Sequence, residues 1–312
     1  MKILITGSAG LLGSHLMEKL RVLDHSITGT YHSREPGVID GNIIYTLADL
    51  MLLEDCKRVV KGADIVFLCA ANTGGIAKTA KSSRSIVDSL QINMQLLDQC
   101  ALEGVQHTFL ISSTTVYPDR NTPLCEYDGF TDDPSPAYFG IGWMNRYLEK
   151  LSCYYQQEFG MPITIVRPSS MYGPYDNFSE YGSHVIPSLI QRFLRAEQTI
   201  HIWGDGSQQR DFVYAGDVAE LLVSLIGKVE FRGPYNIGYG ESTSIHDLTH
   251  ELAHATDRTD LQIIFDASKP IGIQSRKIDI SLSKSLLGFE PSHSLEIGLE
   301  KTVEWYRKSQ LI

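Results

Sequence analysis

Seven residues, Gly7-Ser8-Ala9-Gly10-Leu11-Leu12-Gly13, follow directly on a strand-like run from Lys2 to Thr6 and lead into an amphipathic stretch, Leu12 to Arg21. Glycines at this spacing let a chain turn tightly off a strand and bring bare amides up to a phosphate at a helix N-terminus. The last of them lets helix and strand pack closely. The spacing is GxxGxxG rather than GxGxxG, and glycine-rich turns are common, so the weight rests on its place between strand and helix. The pattern predicts a dinucleotide pyrophosphate seated on Gly7, Ala9, Gly10, Leu11, Leu12 and Gly13.

The following chain alternates in kind. Ser26 to Tyr31, Ala63 to Ala71, Thr108 to Ser112 and Pro162 to Arg167 read as strands. Between them Ile86, Leu90, Met94, Leu97 and Ala101 recur on one helical face, and Gly142 to Phe159 reads as a helix. Right-handed βαβ units follow, so residues 1–167 are expected to form a Rossmann-type α/β domain with a doubly wound parallel sheet. Turn-rich residues Tyr172 to Gly182 and a helix near Val185 to Ala196 mark a smaller α+β C-terminal lobe over 168–312, with about 210–237 returning to the first domain. Such a lobe would cap the carboxyl ends of the strands, where open sheets bind ligands.

The second strand ends Tyr31-His32-Ser33-Arg34, where NAD sites usually carry an acid for the ribose. A missing carboxylate beside a guanidinium favours a 2′-phosphate, hence NADP over NAD, although Arg34 also reads as a solvated loop residue. Asp49, after a short strand, suits the adenine amino group. A formal net charge of −10 with no basic run argues against nucleic acid and anionic membrane as partners. No leader-like segment or membrane-length apolar run is visible, and five cysteines without metal spacing read as reduced thiols in a cytoplasm. His246, His250 and His254 form a helical stripe with no matching carboxylate or cysteine motif, so no metal is expected.

Further motifs extend along the chain: Ala70-Ala71-Asn72-Thr73-Gly74-Gly75-Ile76, Ser112-Ser113-Thr114-Thr115-Val116-Tyr117-Pro118, Arg167-Pro168 with Met171-Tyr172-Gly173-Pro174, and Asp176-Asn177-Phe178. Ser183-His184-Val185-Ile186-Pro187 and Trp203-Gly204-Asp205-Gly206 leading to Arg210-Asp211-Phe212 complete the set. In these the chain resembles the extended short-chain dehydrogenase/reductases across nearly its whole length. The GGI and SHVIP segments make it most similar to the GDP-L-fucose synthase branch. The resemblance implies a homodimer through helices 84–103 and 143–159, with Leu90, Leu97, Trp143 and Tyr147 as candidates. It also implies further cofactor contacts at Leu50, Ala70, Ala71, Asn93, Ile111 and Pro168. Ser113 would hold the reacting sugar oxygen and His184 would serve as acid/base. Ser170, Asn177, Arg192, Trp203 and Arg210 would bind the nucleotide sugar.

Two departures bear on the chemistry. The family's redox pair is Tyr-x-x-x-Lys. Counting from Tyr138 puts Gly142 at the lysine, whereas aligning through Trp143 and Glu149 puts Ile141 and Asn145 at the two positions. Tyr138 remains the candidate tyrosine if an insertion returns it to the nicotinamide, with Arg146 or a water for the ammonium. Thr115 stands where fucose synthases carry an acid/base cysteine, and a hydroxyl is a far poorer base than a thiolate. The expected function is an NADP-dependent reductase or epimerase acting on a GDP- or other NDP-linked 4-keto-6-deoxyhexose. A 4-epimerase with tightly bound NAD and a dinucleotide-binding protein with lost or altered redox activity are the alternatives.

Overall fold

The computed structural model describes residues 1–71, 84–179, 182–269 and 271–310. In chain order its first part runs β1 (Lys2–Thr6), α1 (Leu11–Leu20), β2 (Ser26–Tyr31), β3 (Ile43–Leu47), α2 (Leu53–Val60), β4 (Ile65–Leu68) and α3 (Arg84–Leu102). There follow β5 (His107–Ile111), α4 (Phe139–Glu158), β6 (Ile163–Pro168), β7 (Ser170–Tyr172), α5 (Val185–Arg195), β8 (Thr199–Trp203) and β9 (Gln209–Tyr214). The remainder is α6 (Ala215–Ser224), β10 (Tyr235–Ile237), β11 (Ser242–Ser244), α7 (Ile245–Ala255), β12 (Gln262–Asp266), β13 (Ser275–Arg276), α8 (Ser281–Leu287) and α9 (Leu295–Ser309).

The main sheet has the order β10-β6-β5-β4-β1-β2-β3, every pair parallel. Strand order reverses between β1 and β4, which opens a crevice at their carboxyl ends. One face is covered by Leu12, Leu16 and Leu20 of α1 with Val218 and Leu222 of α6. Cys56 and Val60 of α2, Leu96 and Leu97 of α3, and Met144 and Leu148 of α4 cover the other. The chain thus re-enters this layer at α6 and β10, whereas β9 belongs to a separate four-stranded sheet with β7, β11 and β13. A third core, from Ile186 and Phe193 to Leu299 and Tyr306, holds the second lobe together.

Several expectations need correction. The strand expected over Ala63 to Ala71 shortens to β4, and Ala71 is exposed. On α3 the buried face includes Ser85, Ser89 and Asn93, while Met94 is 37% exposed. Polar residues face inward there because Asn93 Nδ2 donates to the Ala70 and Ser89 carbonyls at 3.3 and 2.9 Å, fixing α3 to the end of β4. Leu97 is fully buried against the sheet and is therefore not available to a partner subunit. Among the described residues no helix is long and apolar enough to cross a membrane.

One buried polar network ties these layers together. Arg167 on β6 donates through Nε and Nη2 to Glu149 of α4 at 2.8 and 2.6 Å, and through Nη1 to the Tyr117 hydroxyl at 2.9 Å. Glu149 also accepts from Ser112 at 2.5 Å, and Tyr117 donates to Asn236 of β10 at 2.5 Å. Against the opposing effect of burial, the Glu149 carboxylate holds the guanidinium above its ordinary pKa. Removing one member of a pair this buried leaves an uncompensated charge. Glu149→Ala is accordingly expected to destabilise the fold by about 3–5 kcal/mol in urea denaturation; a change below about 1 kcal/mol would contradict this account.

Candidate active site

The glycine turn lies at the strand-order reversal. Gly7 has φ 65°, and a Cβ there would meet Ala70 Cα at 2.8 Å, so the turns after β1 and β4 abut only because residue 7 has no side chain. The Gly10 N–H donates to the Gly7 carbonyl at 3.0 Å, and a Cβ on Gly13 would collide with that same oxygen. Gly10 caps α1 with no side-chain hydrogen bond, and the first turn carries no acid. The amides of Leu11, Leu12 and Gly13 lack intrahelical acceptors there, which leaves them suited to a phosphate. Buried Ala9 and Leu12 back the turn.

Around the crevice the other candidates are spread as follows. Tyr31 is half-buried at the end of β2, His32 is exposed, and Arg34 sends Nη2 to the Asp176 carbonyl at 3.4 Å. One Asp49 oxygen accepts from the Met51 N–H at 3.0 Å, so its carboxylate also closes a turn, beside buried Leu50. Ala70 is buried beside Asn93, Ile111 ends β5 and Pro168 ends β6. Residues Asn72 to Ile76 lie outside the described residues.

At the end of β5 two adjacent serines have different tasks. Ser112 belongs to the Glu149 network, whereas Ser113 is half-buried and its Oγ accepts from the Thr115 N–H at 3.2 Å. The Glu149–Arg167 pair sets the rotation of α4, and both candidate lysine positions then turn toward Thr115: a Cβ on Gly142 would lie 2.6 Å from the Thr115 carbonyl oxygen. Asn145, one turn before Glu149, is buried with Nδ2 donating to Thr115 Oγ1 at 3.1 Å. In the alignment through Trp143 and Glu149, Asn145 and Ile141 are the residues at the lysine and tyrosine positions. Arg146 is committed elsewhere: Nε donates to the Val116 carbonyl at 2.9 Å, Nη2 to the Asp132 carbonyl, and the guanidinium lies over Trp143. It does not stand in for the ammonium.

Tyr138 precedes α4 and lies near Arg210 of the second lobe, whose guanidinium it favours against the opposing effect of burial. Arg210 on β9 lies in register with Arg276 on β13. Arg276 is 5% exposed; Nη1 donates to the Pro118 carbonyl at 3.2 Å, while Nη2 is buried without a hydrogen-bond partner among the described residues. Burial and the neighbouring Arg210 push the Arg276 pKa down to about 10, although Tyr138 and Asp119 oppose this. A buried and a half-buried arginine in neighbouring strand register offer the kind of paired guanidiniums that suits a dianion such as a diphosphate. Sequence reading missed Arg276, because only strand register brings it to Arg210.

The second lobe carries the rest. His184 precedes α5, is half-exposed, and sets Nδ1 3.2 Å from Asp176 Oδ1. That hydrogen bond raises its pKa against the effect of burial. The Asn177 side-chain oxygen accepts from the Ser179 N–H at 2.9 Å, and Ser170 is half-buried on β7. Arg192 donates to the His201 carbonyl and lines a groove of about 450 Å³ with Ser183, Arg195 and His201. Trp203, at the end of β8, leaves 56% of its surface open. On α7, His246 and His250 pack ring to ring at 4.6 Å.

Comparison with known proteins agrees with this arrangement. The NAD dependent epimerase/dehydratase family matches residues 3–238. GDP-mannose 3,5-epimerase 1 of Oryza sativa subsp. japonica is 28% identical, over 99% of this chain and 82% of the relative. A dTDP-4-dehydro-6-deoxy-D-allose reductase from a Streptomyces species is 30% identical over 98% and 96%, and GDP-L-fucose synthase 1 of Arabidopsis thaliana 28% over 99% and 94%. Among solved structures, UDP-glucose 4-epimerase of Thermotoga maritima with UDP-glucose superposes with a TM-score of 0.88 at 26% identity, covering 99% of this chain and 100% of that one. UDP-glucuronic acid 4-epimerase of Bacillus cereus, in complex with UDP-glucuronic acid and NAD, gives 0.84 at 26% with the same coverage. A glycine turn at the sheet crevice, facing a polar second lobe, thus coincides with a match over most of the chain: the protein belongs to the NAD-dependent epimerase/dehydratase family and is a nucleotide-sugar enzyme of the extended short-chain dehydrogenase/reductase type.

Proposed function

We propose that this protein is an NADP-dependent reductase or epimerase acting on an NDP-linked 4-keto-6-deoxyhexose, GDP being the expected nucleotide. The observation that carries this reading is the pair Ile141 and Asn145. A 4-epimerase must begin by removing a hydroxyl proton as hydride leaves, and neither side chain at these positions is a base. A substrate that arrives as a ketone needs no such base: its α-protons are already acidified by the carbonyl, and after hydride addition the C4 alkoxide takes its proton from solvent water.

In this reading the dinucleotide lies along the crevice with its pyrophosphate on the Leu11 to Gly13 amides, and when bound it supplies the hydride. Tyr31, His32 and Arg34 face its ribose, where the lack of a carboxylate favours a 2′-phosphate. Arg210 and Arg276 take the sugar diphosphate, and Trp203 and Arg192 flank the base. Ser113 and Thr115 hold the sugar carbonyl oxygen by hydrogen bonds that strengthen as negative charge develops there. Asn145 orients the Thr115 hydroxyl. His184, with Nδ1 on Asp176, presents Nε2 to move a proton at the carbon beside the ketone. Tyr138 belongs to the diphosphate end, not to the redox centre. Subunits would pair through the outer faces of α3 and α4, where Val87, Trp143 and Tyr147 are exposed.

The same Asn145–Thr115 hydrogen bond favours a second reading, a binding protein without hydride transfer. Purified protein incubated with GDP-4-keto-6-deoxymannose and NADPH separates the two. Loss of nicotinamide absorbance with a reduced hexose identified by NMR supports the enzyme; saturable binding of both ligands without turnover supports the binding protein. Independently, Arg276→Ala removes charge-assisted hydrogen bonds and is expected to weaken nucleotide-sugar binding about 10–100-fold by calorimetry. Dinucleotide affinity should stay unchanged. Gly13→Val should do the reverse, abolishing dinucleotide binding through its clash with the Gly7 carbonyl while nucleotide-sugar affinity persists.

A further inference from the structure

The loop joining β7 to α5 touches both ends of the proposed site. Asp176, in that loop, is 3% exposed. Its Oδ1 accepts from the Asn177 N–H at 2.7 Å and lies 3.2 Å from His184 Nδ1, while Oδ2 is buried without a hydrogen-bond partner among the described residues. The Asp176 main-chain carbonyl accepts from Arg34 at 3.4 Å. One residue earlier the backbone has little slack. Tyr175 sits at φ 67°, its hydroxyl donates to Glu18 of α1 at 2.7 Å, and a Cβ on Gly37 would meet its ring at 2.9 Å. A change at Arg34 is therefore delivered to Asp176 through the constrained backbone at Tyr175 and Asp176.

We propose that Asp176 is a positioning residue that couples the cofactor end of the crevice to His184, so that a 2′-phosphate captured by Arg34 strengthens the hold of the His184 ring on its proton. The proposal rests on the reading of Arg34 as the 2′-phosphate ligand and of His184 as the acid/base group. Asp176 sets its carboxylate within hydrogen-bond reach of the ring, and the Arg34 guanidinium lies against the Asp176 main-chain carbonyl. With NAD bound, the guanidinium stays beside Asp176 and weakens the carboxylate's pull on the ring. A 2′-phosphate neutralises that guanidinium, and the full field of Asp176 then favours the imidazolium. Nδ1 remains engaged with the carboxylate in both cases, which keeps Nε2 directed at the substrate. The phosphorylated dinucleotide thereby primes proton delivery, and the two cofactors differ in effect as well as in affinity.

The test is an NMR pH titration of full-length protein carrying ¹³C-labelled histidine, with His184 assigned by His184→Gln. It is run free, saturated with NAD and saturated with NADP. The expected midpoint is higher with NADP than with NAD, and Arg34→Ala abolishes the difference. In the free protein Asp176→Asn lowers the midpoint by about one pH unit. Calorimetry reports cofactor binding separately. Equal midpoints with both dinucleotides bound overturn the coupling alone, and absence of NADP binding overturns the cofactor reading together with it. An unmoved midpoint in Asp176→Asn also overturns it. Thermal unfolding checks that this variant is folded; if it is not, Arg34→Ala, on an exposed loop, decides the question.

Discussion

The Glu149–Arg167 pair is the constraint from which the geometry of the site follows. It is buried, bidentate, and shared by a helix and a strand that approach the crevice from different layers. Because the guanidinium offers a rigid fork, it fixes the rotation of α4 as well as its distance from the sheet. That rotation brings Asn145 to Thr115, releases Ser113 from the network that claims Ser112, and leaves Tyr138 outside the helix. Desolvating such a pair is costly, so its worth lies in orientation more than in stability.

The resulting site is a family scaffold with an altered centre. It presents a bare helix start at the crevice, paired arginines in the second lobe and an exposed indole. On the proposed reading, an aliphatic chain and an amide stand where a hydroxyl proton would be removed. Binding and bond-making chemistry would then be separable, with the altered part favouring a substrate that needs the least help to react.

Much of this was legible in the sequence because it is local. Strand, glycine turn and helix succeed each other within the first twenty residues, and the βαβ alternation of the first half depends on short-range periodicity. What could not be read depends on residues far apart in the chain. The inward face of α3 looked like Ile86, Leu90, Met94 and Leu97, yet a polar edge with Ser89 and Asn93 also turns inward because Ala70, from another segment, needs a donor. That both Gly142 and Asn145 turn toward Thr115 depends on the Arg167 contact that fixes the helix phase, far along the chain. Arg276 carried no local signal, since its partner is set by β9–β13 pairing. Leu97 illustrates the opposite error, an apolar residue assigned to a subunit contact that the sheet already uses.

The arginine pair also bears on the energetics of the fold. Two guanidiniums held in neighbouring strand register, one with a buried nitrogen lacking a partner among the described residues, are mutually repulsive, and the backbone ladder keeps them together despite this. On the proposed reading, an anion that bridges them would relieve local frustration in the fold as well as gaining its own contacts. Occupancy and stability of the second lobe would then be linked by mass action, and its melting behaviour would depend on the phosphate or diphosphate content of the surrounding medium.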